Sequence, residues 1–333
     1  MQYREFGKTG WKVSEIGFGG ARIGGLLAED GGRAISLQTL AAAFDAGLNF
    51  FDTADMYAQG ESEVLIGKAF RGSRDKVFIA TKGGYCLPAG MKLMQYIKPF
   101  AKPIAKALGL KRAPVPLAAA GPIAQDFSPA YLRKAAEASL RRLQSDYIDL
   151  YQLHSPSPEV LASAQFRDAL GALERLKAEG KIRHYGIALD SADDARLCLH
   201  FEGISSLQMP FGLLDMEASE GVFEDVSNRR VGIIARACFG GGGLKASLSE
   251  AELRAVEPKW ERVLRLRKIS ERHGRSLLES ALQFSLRDRY IGVNILGMRT
   301  PAHVATNMQY YASRPLSDLE FQDLRMHNAA ASA

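Results

Sequence analysis

Cysteine is scarce in this chain: Cys86, Cys198 and Cys238 stand far apart in 333 residues. A scattered, odd-numbered set supplies neither a disulfide framework nor the close spacing of a metal site, so no metal is expected. A reducing cytoplasm is the expected setting. No run of about 18 uncharged apolar residues occurs, so no membrane span is expected. The opening MQYREFGKTG lacks the apolar stretch of a secretory signal. A strong excess of one charge is also missing, with 43 Lys and Arg against 37 Asp and Glu and a formal net charge of +6. That balance attracts phosphate groups but does not point to nucleic acid. Nothing in the sequence reports an oligomeric state.

What is present is alternation. Short apolar runs recur at EIGFGG (15–20), NFFDTA (49–54), VFIATK (77–82), YIDLYQL (147–153), HYGIAL (184–189), ISSLQM (204–209), VGIIARA (231–237) and YIGVNIL (290–296). Each is short and bounded by Gly, Pro or polar residues, as parallel strands buried on both faces are. Amphipathic stretches lie between them. Ser36 is expected to cap a helix carrying Leu37, Leu40 and Phe44, with Gly47 as its stop. Ser128-Pro129 opens another, with Leu132, Ala136, Leu140 and Leu143 at helical spacing. Leu170, Leu173 and Leu176 form a third stripe ended by Gly180, and Thr300-Pro301 opens a helix carrying Val304 and Met308.

Eight strands alternating with helices predict an α/β fold, the (β/α)8 barrel, which usually takes roughly 250 residues or more. The alternative is an open doubly wound sheet with a second domain. Against it, the first strand is not followed by G-x-G-x-x-G with an acidic residue about 20 positions on. Residues 2–14 read as a short β-hairpin around Lys8, Thr9 and Gly10, ahead of the first barrel strand. The whole chain, 1–333, is expected to form one domain.

One stretch breaks the rhythm. After the third strand, residues 83–127 stand where a short connection is expected. Six of the chain's 13 prolines lie there, and between Gly83 and Gln125 there are six basic residues and no Asp or Glu. A lid or binding loop is one reading of such an insertion, and a solvated excursion is another. MKLMQYIKPFAKPIAKALGLKR mixes apolar and basic residues as membrane-surface segments do, but its prolines interrupt any long amphipathic helix.

In a barrel, functional residues sit at the C-terminal ends of strands. Asp52 ends the second strand and Tyr57 follows it; Lys82 ends the third and His154 the fourth. Carbonyl reduction needs such a set. Hydride addition leaves negative charge on oxygen, which must be protonated. A phenol with an ordinary pKa of about 10 is a reluctant donor. A neighbouring ammonium eases its ionisation, and a carboxylate beside the lysine holds that ammonium in place. A histidine hydrogen-bonds the carbonyl oxygen and orients it.

These residues also carry a resemblance. FDTADMYAQGESEVLIGKAF (51–70) resembles the aldo-keto reductase signature around the catalytic aspartate and tyrosine. ATKGG (80–84) resembles the family's lysine motif and YIDLYQLHSPSP (147–158) its histidine motif. FGKTGWKVSEIGFGG (6–20) and LQMPFGLLD (207–215) also match, so the likeness spans nearly everything outside 83–127. The resemblance implies a (β/α)8 barrel and NADP(H)-dependent, reversible reduction of an aldehyde, ketone or sugar. It implies Tyr57 as general acid/base, Asp52 and Lys82 as its tuning pair, and His154 as the residue that orients substrate.

It also implies a cofactor site. Gln208 matches the glutamine that holds the nicotinamide carboxamide. The family's Gly-x-Ser-Asn after the fifth strand reads Gly186-Ile187-Ala188-Leu189 here, followed by Asp190 and Ser191. Ala188 and Leu189 have no side-chain donor or acceptor, so Asp190, Ser191 or the backbone must substitute. Arg236 stands where the family often stacks an aromatic ring, and its planar guanidinium either stacks likewise or meets an anion. Gly240, Gly241 and the two glycines after them either allow backbone N–H groups to approach a pyrophosphate or serve as a flexible hinge. Arg299 and Thr300, at a helix N-terminus, form an anion site that favours NADP(H) over NAD(H). Asn307 matches the family's adenine contact, and His303 stands where many members carry Arg or Gln. Two other functions fit the same scaffold: an NAD(P)-dependent alcohol or sugar dehydrogenase, and a cofactor-binding regulatory subunit.

Overall fold

A computed structural model describes residues 1–24, 32–86, 123–216, 221–244 and 248–329. Most of the proline-rich basic insertion, 87–122, lies outside the described residues.

Two short strands, β1 (Tyr3–Glu5) and β2 (Lys12–Ser14), pair antiparallel as the expected hairpin. Eight more follow: β3 (Ile16–Gly19), β4 (Phe50–Asp52), β5 (Phe78–Gly83), β6 (Ile148–His154), β7 (Ile182–Ala188), β8 (Ser206–Pro210), β9 (Gly232–Arg236) and β10 (Ile291–Gly297). They close into a barrel in chain order, with β10 returning to pair with β3. Every barrel pairing is parallel. The doubly wound alternative is thereby excluded, since an open sheet has two edges and this one has none. All eight apolar runs coincide with barrel strands, as expected where helices cover one face and packed side chains fill the other.

The helices follow their capping signals, with one correction. Ser128 accepts from the Tyr131 N–H at the start of helix Pro129–Leu143, and Thr300 accepts from His303 N–H at the start of helix Pro301–Ala312. Ser36 does not cap. The first helix begins earlier, at Gly32, and the Ser36 hydroxyl donates back to the Gly32 carbonyl four residues before it. A mid-helix serine bonding to the i−4 carbonyl satisfies itself without needing a terminus. Gly47 ends this helix segment with φ +91°, a conformation that glycine adopts without strain.

Two apolar clusters divide the interior. The larger lies between the strands and the surrounding helices. The smaller fills the barrel itself, joining Phe50, Ala80, Leu150, Ile234, Val293 and Ile295 to Phe6, Trp11 and Val13 of the hairpin. Phe6 and Trp11 stack with ring centroids 6.2 Å apart, and Trp11 stacks on Phe78 at 4.8 Å. The hairpin thus plugs the N-terminal end of the barrel. The opposite mouth, where strands end in polar residues, is left to hold ligands.

Candidate active site

Above the apolar plug the barrel interior turns polar. Lys82, on β5, is 2% exposed, and its Nζ lies 2.7 Å from both oxygens of Asp52 on the adjacent strand β4. The same ammonium donates to the Thr53 carbonyl at 2.9 Å. Burial pushes the Lys82 pKa down, but the Asp52 carboxylate and the neighbouring Tyr57 outweigh it, so the ammonium is held above its ordinary value. Burial pushes Asp52 up, against the pull of Lys82 and a hydrogen bond from Gln208. What opposes the burial penalty on each charge is their mutual attraction, which is strong where water is excluded.

Tyr57 stands over this pair, with Lys82 Nζ 5.1 Å from its ring centroid. It opens a tight turn, Tyr57–Gly60, in which Ala58 and Gln59 take φ of 49° and 63°. Left-handed backbone at ordinary residues costs about 1–2 kcal/mol each, so the turn must be held from outside. Backbone bonds hold it from one side, Tyr57 N–H to Ala54 and Gln59 N–H to Met56. From the other, Arg142 lies against Gly60 and donates to the fully buried Glu63 at 2.5 Å.

His154, the last residue of β6, completes the group. Its ring meets that of Tyr57 edge-on, with centroids 5.8 Å apart. Burial, then the nearby cations Lys82 and Arg236, push its pKa down to about 3. The imidazole is therefore neutral at ordinary pH, a hydrogen-bond donor through one nitrogen only. The four residues expected at neighbouring strand ends are brought together by the parallel register Phe50↔Phe78 through Gly83↔Leu153.

Two buried glutamines extend the group. Gln208 on β8 donates to Asp52 at 3.2 Å and accepts from Gln152 on β6 at 3.3 Å. Gln152 lies two residues before His154 and so shares its face of the strand. That two-residue period is the signal that could have found it in the sequence.

From Asp52 and Tyr57 a cleft of about 420 Å³ runs outward along the ends of β3, β9 and β10. Gln208, Arg236 and Gly241 line it, and Arg299, His303 and Asn307 line its far end. Six of the eight residues expected at the cofactor thus share one cleft. Gly240 and Thr300 do not line it. Gly240 backs onto Leu214, where a β-carbon would come within 2.7 Å of Cδ1, and the Thr300 side chain is engaged as the helix cap. The glycine run also offers fewer amides than its composition implies. The N–H groups of Gly240, Gly242 and Gly243 bond turn carbonyls at Ala237, Phe239 and Gly240.

Arg236 is engaged too. It donates to the Leu189 carbonyl at 3.0 Å and to Asp190 at 2.8 Å, and Asp190 also accepts from Ser155 at 2.9 Å. Ser191 accepts from the Asp193 N–H in a local turn. Neither Asp190 nor Ser191 lines the cleft, so neither is placed as a direct substitute for the missing Ser-Asn pair. Arg22, which no motif in the sequence marks, lines the cleft as well and donates across it to the Gly241 carbonyl at 3.3 Å. Its only signal is a basic residue just beyond the first barrel strand.

The cleft fits a dinucleotide in one specific respect. Asn307 is 6% exposed, lies on the cleft wall, and its Nδ2 has no hydrogen-bond partner. A buried donor left unmade costs about 1–3 kcal/mol, and a heteroaromatic acceptor in the cleft would remove that cost.

Comparison with known proteins agrees with this geometry. The sequence model described as "Aldo/keto reductase family" matches residues 15–329. The aldo-keto reductase YhdN of Bacillus subtilis is 27% identical over 91% of this chain and 87% of its own length. The D-threo-aldose 1-dehydrogenase of a Pseudomonas species is 27% identical over 91% of both. Among solved structures, the holo form of an aldo-keto reductase from Bacillus halodurans superposes with a TM-score of 0.79, at 28% identity, covering 99% of this chain and 97% of that one.

Proposed function

Because the chain belongs to the aldo/keto reductase family, oxidoreductases that use nicotinamide cofactors, we propose that Tyr57, Lys82, Asp52 and His154 reduce a small carbonyl compound, with NADPH as the preferred donor. The observation that carries this reading is the Lys82 ammonium, clamped 2.7 Å from both Asp52 oxygens beneath the Tyr57 ring. When bound, the dihydronicotinamide supplies the hydride. The Tyr57 hydroxyl gives its proton to the developing alkoxide, and the Lys82 cation stabilises the tyrosinate left behind. Asp52 keeps that cation in place. Neutral His154 donates a hydrogen bond to the carbonyl oxygen without competing as an acid. In the opposite direction the same groups run in reverse, Tyr57 taking the alcohol proton. The dehydrogenase among the relatives favours keeping sugars in the substrate class.

Gln208, Arg236, Gly241 and Asn307 would hold the cofactor along the cleft, with Arg299 and His303 at the helix N-terminus toward a 2′-phosphate. We read residues 1–333 as one domain, and the three free thiols favour a reducing, cytoplasmic setting. No helix among the described residues is long and apolar enough to cross a membrane. The test is NADPH oxidation, followed optically, with a panel of aldehydes, ketones and sugars. Turnover of at least one carbonyl, preferred over the NADH reaction, is expected. No turnover with any of them would end the reading.

A further inference from the structure

A histidine that must aim one nitrogen at a substrate is commonly held by a hydrogen bond to the other. His154 has no such bond: its Nδ1 is buried without a partner. Something else fixes the ring. The backbone at this point turns sharply, with Ser155 at φ +52°. The Gln125 side chain donates one amide hydrogen to the His154 carbonyl at 3.0 Å and the other to the Ser155 carbonyl at 2.9 Å. The Tyr85 ring packs edge-on against the imidazole with centroids 4.9 Å apart, beside the Tyr57 ring.

Gln125 and Tyr85 are themselves a pair. They face each other across an antiparallel bridge where the two ends of the 83–127 stretch meet. Cys86 N–H donates to Ala124 O at 2.7 Å and Asp126 N–H to Gly84 O at 2.8 Å, continuing the ladder. Tyr131, on the helix that follows, donates to the Tyr85 carbonyl at 2.7 Å. Gly84, at φ +136°, lets this stem lie on the buried Phe127, where a β-carbon would come within 2.3 Å of the ring. The stem is therefore built into the barrel wall beside His154.

We propose that Gln125 and Tyr85 are positioning residues for His154: the amide fixes the backbone that carries the ring, and the phenol fixes the ring's plane. This rests on the reading of His154 as the group that orients the carbonyl. With both removed, neither the backbone that carries the imidazole nor the plane of its ring is held, and water reaches its buried nitrogen. The charged groups facing it are Lys82 on β5 and Arg236 on β9, both cations, with Asp190 reaching Arg236 from the loop after β7. The titratable rings beside it are Tyr57 and Tyr85. Burial dominates over those cations in keeping the ring neutral, so hydration is what a loosened ring would report.

The experiment is proton NMR of the histidine rings in the full chain without ligand, the His154 signal identified by its loss in His154→Gln. In the wild type that signal does not titrate down to about pH 4. In Gln125→Leu and in Tyr85→Leu its titration moves up by about one pH unit or more. In parallel, kcat/KM for the carbonyl falls roughly tenfold to a hundredfold while NADPH affinity stays within about twofold. Tyr85→Phe, which keeps the ring, retains the wild-type titration. Unaltered His154 titration in both leucine variants overturns the proposal. The NMR readout stands without turnover, so it decides even if no carbonyl is reduced. Should Gln125→Leu not fold, Tyr85→Leu against Tyr85→Phe decides in the same way.

Discussion

Lys82 Nζ lies 2.7 Å from each oxygen of Asp52, and both side chains are almost completely buried, at 2% and 4% exposure. Such a pair contributes little net stability, because desolvating two charges offsets most of their attraction. Its worth is positional: it fixes a positive charge beneath Tyr57.

Breaking the pair from one side is accordingly costly. Lys82→Met leaves Asp52 buried without its counter-charge, and denaturant unfolding should show a loss of about 3–5 kcal/mol. Lys82→Met with Asp52→Asn should recover most of that stability but none of the activity. Recovery of both would mean that the ammonium serves the fold alone.

The His154 pKa, pushed down to about 3 by burial and nearby cations, makes a linkage prediction. Above the ordinary histidine value of about 6.5 the ring is neutral folded and unfolded, and contributes no pH dependence. Below it the unfolded chain takes up a proton that the folded chain refuses, so stability falls as pH falls. The wild type should therefore lose stability relative to His154→Gln by about 1.4 kcal/mol per pH unit between roughly pH 6 and 4. Parallel unfolding curves for the two proteins over that window would show that the ring is protonated in the fold.

The far end of the cleft separates two kinds of binding. Asn307→Leu removes a donor that NADP and NAD would share, and should weaken both by about 1–3 kcal/mol. On the proposed assignment, Arg299→Ala removes a charge that would meet the 2′-phosphate of NADPH, a group NADH lacks, and should weaken NADPH by about 1.5–3 kcal/mol with little effect on NADH. Fluorescence titration of the two cofactors measures both. Equal losses for NADPH and NADH in Arg299→Ala would place the phosphate elsewhere.

The barrel was legible because parallel strands covered on both faces leave uninterrupted apolar runs, and a polar residue ending such a run marks the mouth. Asp52, Lys82 and His154 each end one, and strand order brought them together. Less legible was whatever depends on a side chain's second partner. Arg236 sits on the cleft, but its pairing with Asp190 joins residues 46 apart in sequence and leaves no local pattern. Ser36 looked like a cap because serine commonly is one, yet its helix starts a turn earlier. Gln125 carried no signal, since a glutamine closing a proline-rich stretch reads as a solvated residue until the chain folds back onto His154.

The proposed carbonyl reduction turns on Tyr57 giving its proton to the carbonyl oxygen. Single-turnover oxidation of bound NADPH by a reducible carbonyl, in wild type and in Tyr57→Phe, tests that step by itself. Phenylalanine keeps the ring against His154 and removes only the hydroxyl. Cofactor affinity should be unchanged and the rate lower by roughly 10²–10⁴-fold. A Tyr57→Phe rate within about twofold of wild type would contradict a proton donated by Tyr57.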